Sequence, residues 1–288
     1  MRILVTGSTG MLGSDLVRAI TLAGDTALGA DLQTSGRAWQ RAVDVTDGAA
    51  VDTAIAEADA DVVIHAAALT DVDGCELDPE QAFRVNAWGT WSVAAACARH
   101  DVPLLYLSTD FVFDGASRKP YTEYDAPNPI NVYGASKLAG EGHVITLCRR
   151  HWIVRTQWLF GRGGRNFPAT ILKLAESRTE LPVVRDQIGA PTYTVDLAAA
   201  IVTLIRSGYY GTYHVNNAGS CSWYDLALFI MQQRPALTME IKPIPASEYI
   251  TPTRRPAYSV LDRMALRVQA ADTMRSWQAA LTEFLATA

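Results

Sequence analysis

Residues 2–6, RILVT, form a short apolar run that enters GSTGMLG, after which SDLVRAITLAG places its apolar residues at helical spacing. The pattern is strand, glycine turn, helix. It repeats down the chain: 26–31 and 61–68 read as strands around a helix at 47–58, and a long helix at 79–100 precedes a strand at 102–109. A helix from about 131 and a strand at 151–156 close the series. Strands that are apolar without alternation have both faces covered, so the expected architecture is α/β, a doubly wound parallel sheet between helical layers. Beyond 156 the regularity loosens. Pro168, Pro182, Pro191, Pro235, Pro243, Pro245, Pro252 and Pro256 punctuate short segments there, as suits an irregular lobe carrying ligand loops.

Composition narrows the class further. With 288 residues, 49% of them apolar, the chain can bury a full core without staples. Its four cysteines, Cys75, Cys97, Cys148 and Cys221, show neither C-x-x-C spacing nor a ligand-like relation to the five histidines, so no metal site or disulfide framework is expected. The N-terminus lacks a long apolar leader and no run approaches ~20 apolar residues, which points to the cytoplasm and away from membranes. A net charge of −5 without a basic cluster argues against nucleic acid.

Gly7, Gly10 and Gly13 recur every third residue between strand and helix. Side chains there would block the approach of a pyrophosphate to the helix N-terminus, where free N–H groups favour anions. The first 155 residues therefore read as a Rossmann-type NAD(P)-binding domain, and 156–288 mainly as a substrate lobe from which about 190–216 returns to the first domain. Asp31, eighteen residues past Gly13, can accept from a ribose 2′-OH and repel a 2′-phosphate, which favours NADH. Arg37 and Arg41 follow closely and either can meet a 2′-phosphate, so NADPH or NADH stays open. Asp44 resembles the residue that meets the adenine in dinucleotide-binding folds of this kind, or else caps the next helix with Asp47 nearby. Ala66, Ala67 and Ala68 offer a small surface at a strand end, for a dinucleotide or for close helix packing. His65, within the buried run, reads as a core histidine.

Tyr133 and Lys137 lie one helical turn apart in NPINVYGASKLAGEG. With 11 Tyr and 4 Lys, chance alone supplies such a pair about 0.15 times, so context decides. A phenol titrates near 10 and is a sluggish acid or base at neutral pH, whereas an adjacent ammonium stabilises its anion. Ser108, Thr109 and Asp110 end the preceding strand, where parallel sheets bind ligands, and a hydroxyl there can orient the oxygen that Tyr133 protonates.

In this order and spacing the motifs resemble short-chain dehydrogenases of the extended type. The segments TGSTGMLG, AAALTDVDGCE, LSTDFVFDG, NPINVYGASKLAGE, VRTQWLFGRGGRNF, VVRDQIGAPT, SWYDLA and TPTRRPAYSVLD resemble one family within them, the dTDP-4-dehydrorhamnose reductases, from residue 6 to residue 262. The resemblance implies hydride transfer from NADPH or NADH to C4 of a 4-keto-6-deoxy-L-sugar on a dTDP carrier. Tyr133 would be the acid, Lys137 its tuning and ribose-binding partner, and Thr109 the orienting hydroxyl. Met11, Leu12 and Val45 join the expected cofactor contacts. Val72, Asp73, Asp110 and Trp158 match substrate-contacting positions, and Arg162, Arg165 and Arg255 are candidates for the diphosphate. Some members dimerise through magnesium held by carboxylates, one of them near the C-terminus. Here Asp15 is present but Glu283 is the one acid near the end, so no metal is expected and a monomer or homodimer fits equally. A reductase of another deoxysugar would use the same machinery, and the fold also resembles the regulatory β-subunit of methionine adenosyltransferase. A dehydratase fits less well, because Asp110 is followed by Phe111 and not by a second acid.

Overall fold

The structure is a computed structural model that describes residues 1–34, 36, 39–269 and 271–286. Seven parallel strands form the central sheet, in the order Gly211–His214, β6 (His151–Thr156), β5 (Leu104–Thr109), β4 (Val62–His65), β1 (Arg2–Thr6), β2 (Thr26–Asp31) and β3 (Gln40–Ala42). The order reverses between β1 and β4, and at such a switch point the strand ends leave a crevice.

The central strands β1, β4 and β5 are almost wholly apolar because both their faces are buried. Ile3 and Val5 pack with Leu16, Ile20 and Ile201 on one side, while Leu4 packs with Val51, Val93 and Val144 on the other. The first layer is α1 (Met11–Leu22) and the helix Thr194–Ser207, which lie against each other. The second is α2 (Gly48–Ala58), α5 (Thr90–Arg99) and α6 (Val132–Leu147), with the short α3 (Val72–Leu77) and α4 (Pro79–Phe83) at its edge. The remaining C-terminal segments gather around a separate core in which Phe160, Ile171, Leu226, Ile241, Trp277 and Leu281 meet.

Two expectations change, and one strand is new. The strand expected over 61–68 ends at His65: the Ala66 N–H still donates to Thr6 O at 3.2 Å, and the chain then leaves the sheet, placing Ala66–Ala68 beyond the strand ends. The helix expected over 79–100 is α4 and α5 joined by a π-helical turn, Arg84–Gly89. That wider turn buries Asn86, whose amide grips the backbone of Leu69 through N–H to Oδ1 at 2.8 Å and Nδ2 to O at 3.0 Å. The strand β3, pairing Gly29 with Gln40, has no counterpart in the sequence reading.

Candidate active site

The glycine turn is built by close approach. Gly7 has φ +70°, and a Cβ on it would stand 2.7 Å from Ala67 N; one on Gly13 would stand 1.9 Å from Gly7 O. Gly10 caps α1 through its backbone, and among the described residues no side chain caps that helix, so its first N–H groups open toward the crevice. A cleft of about 630 Å³ begins here. It runs from Asp31, Asp44 and Val45, past Met11, Leu12 and Ala66–Ala68, to Thr109, Tyr133 and Lys137, and opens on Val72, Trp158 and Arg255. Its length, its glycine floor and the uncapped helix end fit a dinucleotide.

At the far end, Asp31 is fixed by three donors. Its Oδ2 accepts Thr9 N–H and Oγ1–H, each at 2.8 Å, and Oδ1 accepts Leu32 N–H at 2.8 Å. Arg41 turns away, with Nε 3.8 Å from Glu57, and Arg37 lies outside the described residues. Asp44 is not a helix cap: its Oδ1 closes a turn onto Thr46, while Asp47 caps α2 through Ala49 and Ala50. His65 is a core residue, its Nδ1 2.7 Å from Thr6 Oγ1 and its Nε2 3.1 Å from Thr90 Oγ1. Burial, assisted by the Lys137 charge, holds it down to about 3, so it is neutral.

The reacting end is assembled where α6 begins. Asn131 Oδ1 accepts Gly134 N–H at 2.8 Å, and Glu76 accepts Val132 N–H at 3.0 Å. A Cβ on Gly134 would meet Phe111 O at 2.0 Å, so the glycine lets α6 seat directly on the end of β5. This brings the half-buried Tyr133 ring edge-on to Phe111, at 5.8 Å, and beside Thr109. Burial raises the phenol's pKa, against a smaller downward pull from the Thr109 hydroxyl, so Tyr133 holds its proton at neutral pH. Lys137 is buried with its ammonium 4.2 Å from the centre of the Tyr106 ring. Burial lowers it to about 7, opposed by the Glu141 carboxylate.

Thr109 Oγ1 accepts Phe111 N–H at 3.2 Å and donates to Asp110 Oδ1 at 3.1 Å. Burial pushes Asp110 up to about 7, partly offset by the Ser259 and Thr109 hydroxyls. Among the described residues, Asp110 Oδ2, Thr156 Oγ1, Gln157 Nε2 and Arg255 Nε are buried without partners, and all four residues line this end of the cleft. Unpaired buried polar atoms clustered in one place suit a ligand rich in hydroxyl groups.

On the substrate side, Arg255 Nη2 pairs with Asp73 Oδ2 at 3.0 Å, and Val72 O accepts Thr253 Oγ1–H at 3.1 Å. Asp73 itself stands behind Arg255, outside the cleft lining. Within the Arg254–Arg255 pair it is Arg255 that faces the cleft; Arg254 is exposed and gives its carbonyl to Asn131. Arg165 also lines the cleft, on a loop whose Gly164 passes against Met11, whereas Arg162 is absent from that lining. Trp158 has φ +46°, a strained backbone for a bulky residue. Its indole lies flat on Trp223, centroids 3.5 Å apart at 7°, in space that a Cβ on Gly189 would enter to within 2.4 Å.

Trp223 was not singled out by sequence reasoning, although SWYDLA contains it; nor were Thr9, Asn86 or Glu141. Asp15 is engaged by Thr194 Oγ1 at 2.5 Å and Glu283 by Arg275 at 2.6 Å. Among the described residues no three His, Cys, Asp or Glu side chains converge as metal ligands.

Residues 1–288 match the family described as RmlD substrate binding domain. A dTDP-4-dehydrorhamnose reductase of Streptomyces griseus is 39% identical, covering 98% of this chain and 92% of its own length. A dTDP-4-keto-6-deoxy-D-glucose reductase of Streptomyces niveus is 38% identical, covering 98% and 96%. Among solved structures, a dTDP-4-dehydrorhamnose reductase of Bacillus anthracis in complex with NADP superposes with a TM-score of 0.93 at 37% identity, over 100% of this chain and 99% of that one. The chain belongs to the RmlD substrate-binding-domain family, that of the dTDP-4-dehydrorhamnose reductases.

Proposed function

We propose that this protein reduces the C4 ketone of dTDP-4-dehydro-L-rhamnose to give dTDP-L-rhamnose, as an NADPH- or NADH-dependent oxidoreductase. The observation that carries the reading is one continuous cleft with a dinucleotide cradle at one end and Thr109, Tyr133 and Lys137 together at the other. The cradle residues would be Gly7, Gly10, Met11, Leu12 and Gly13 for the pyrophosphate, Asp31, Asp44 and Val45 for the adenosine, and Ala66–Ala68 beneath the middle of the dinucleotide. Bound there, the nicotinamide supplies the hydride.

The protein's own groups do the rest. Tyr133 keeps its proton at neutral pH and delivers it to the O4 alkoxide as that charge develops. Lys137, one turn along, favours the resulting phenolate by its charge and reaches toward the nicotinamide ribose. Thr109, whose hydroxyl donates to Asp110 in this structure, turns that proton to the same sugar oxygen when substrate binds and fixes its direction. Asp110 and the Trp158 face take the sugar, with Val72 bordering it and Asp73 acting through Arg255, which it holds from behind. Arg255, and Arg165 nearer the glycine turn, balance diphosphate charge. Residues 1–155 serve the cofactor, 156–288 mainly the substrate, with 190–216 completing the first unit.

A second reading, reduction of a related dTDP-4-keto sugar, is favoured by the 38% identity to the reductase of Streptomyces niveus. A non-catalytic regulatory subunit has no use for an assembled Tyr-Lys-Thr group. We place the enzyme in the cytoplasm, as a monomer or homodimer without nucleic-acid partners; its four cysteines are free thiols, and no helix of the described residues is long and apolar enough to cross a membrane. The test is a panel of dTDP-4-keto sugars with NADPH and with NADH, followed by nicotinamide absorbance, with products identified by NMR. The 4-dehydrorhamnose sugar should be turned over fastest. Faster turnover of another sugar supports the second reading, and no oxidation of either cofactor contradicts both.

A further inference from the structure

Beneath Tyr133 and Lys137 lies a buried charge cluster that the proposed reaction leaves unused. Glu141 follows Lys137 by one turn of α6, on the same face. Its carboxylate accepts Arg155 Nε at 2.9 Å on Oε1 and Nη2 at 2.7 Å on Oε2. Ser108 Oγ donates to Oε1 at 2.5 Å. Arg155 stands on β6 with its guanidinium 5.2 Å from the Phe113 ring centre, and Ser108 immediately precedes Thr109 on β5. Glu141 is 2% exposed and Arg155 5%. A pair so deeply buried loses about as much in desolvation as it gains in attraction, and apolar residues of similar volume often stabilise a fold as well. Stability alone is therefore a weak reason for it.

We propose that Glu141, fixed by Arg155 and Ser108 one turn of α6 from Lys137, is a positioning residue whose buried charge favours the Lys137 ammonium beside Tyr133. The inference rests on the roles given to Tyr133 and Lys137 above. The surroundings of Lys137 support it element by element. His65 on β4 is neutral, and Tyr106 on β5 offers its ring face to the ammonium and its hydroxyl to the Lys137 carbonyl. Cys75 on α3 and Asp110 after β5 act on Tyr133. Arg155 on β6 gives Nε and Nη2 to Glu141, and among the described residues its buried Nη1 has no partner. Among the described residues, Glu141 supplies the negative charge that opposes the loss of the Lys137 proton by burial. Without it burial acts on the amine unopposed, and Tyr133 loses part of the cation that favours its phenolate.

The test compares Glu141→Gln, Glu141→Asp and the double variant Glu141→Gln/Arg155→Met, which leaves no buried charge unpaired. The pH dependence of kcat/KM, the pH dependence of NADPH affinity by fluorescence titration and the melting temperature are measured for each. The basic limb of the activity profile should move to lower pH by on the order of one unit in both Gln variants. NADPH affinity should weaken over the same interval. Glu141→Asp should return the limb toward its original position, and the double variant should regain much of the melting temperature that Glu141→Gln loses. Asp110 titrates in the same range, but its position is set by burial and the Ser259 and Thr109 hydroxyls, so its limb stays in place. If the single variant does not fold, the double variant decides. A uniform loss of turnover at every pH, with the limb unmoved, makes Glu141 a structural brace and overturns the proposal. Lys137→Ala separates the two levels: wild-type turnover there sinks the acid–base reading itself, whereas an inactive Lys137→Ala with an unmoved Glu141→Gln limb sinks only the role of Glu141.

Discussion

A tyrosine and a lysine four residues apart gain meaning from what surrounds them. Gly134 lets the start of α6 rest on Phe111 O, which carries Tyr133 to the Thr109 hydroxyl. Asp110 is the most exposed to test among the buried carboxyls, because its folded pKa of about 7 lies above its ordinary 3.8. The folded state thus holds a proton that the unfolded state has released between those values, so this group's contribution to stability is present at low pH and is lost as pH rises through about 7. Asp110→Asn should therefore melt higher than the wild type at pH 8, by roughly 1 to 4 kcal/mol of stability, with the advantage vanishing near pH 4. Equal melting temperatures across that range would mean that the carboxyl is not charged at the cost described. At the opposite end, Asp31→Ala should raise the NADPH-to-NADH ratio of kcat/KM by about tenfold, the size of one lost charged hydrogen bond. An unchanged ratio would show the carboxylate engaged only with Thr9 and Leu32. Tyr133, Lys137, Thr109 and Asp31 were legible because their chemistry is tied to local spacing and to strand ends. Trp223 was not, since its stacking on Trp158 joins residues that are remote in sequence.

Elements matter here through how closely they approach one another. Gly13→Ala puts a methyl 1.9 Å from Gly7 O, where only backbone can give way, so the turn between β1 and α1 must open. NADPH affinity should fall at least tenfold, with about 1 to 3 kcal/mol of stability lost, as titration and chemical denaturation can measure. A Gly13→Ala protein that binds NADPH normally would remove the turn from the cradle. Gly189→Ala acts on the other element pair: its methyl would enter the space of the Trp158 indole, so KM for the sugar nucleotide should rise while NADPH affinity stays constant. The core strands were readable because burial on both faces leaves them uninterrupted. The π-helical turn was not, because Arg84–Gly89 keeps a helical residue pattern and its extra width shows only in the grip of Asn86 on Leu69. The strand β3 escaped for a similar reason: at three residues, with one face exposed, it carries no periodic signal.

Over the whole molecule, the sheet order places the glycine turn, Ala66–Ala68 and Thr109 at the carboxyl edge of the same parallel sheet, where they line one cleft. Thr6, Thr109 and Thr156 end β1, β5 and β6 there, and the helix Thr194–Ser207 with the strand Gly211–His214 extends that sheet from residues late in the chain. The alternation of apolar runs and helices foretold this arrangement. The lobe beyond 156 was expected to be irregular, with about 190–216 returning to the first domain, but its two-stranded pairings, Glu180–Val184 with Glu240–Ile244 among them, were not foreseen because they join segments far apart in sequence. The central claim is that Tyr133 gives the proton in a cleft that otherwise binds cofactor and sugar unaided. It is tested most directly by Tyr133→Phe, with turnover of dTDP-4-dehydrorhamnose and NADPH affinity measured on the same preparation. The account predicts a kcat lower by ~10² to 10⁴-fold with NADPH affinity unchanged; near-normal turnover would contradict it.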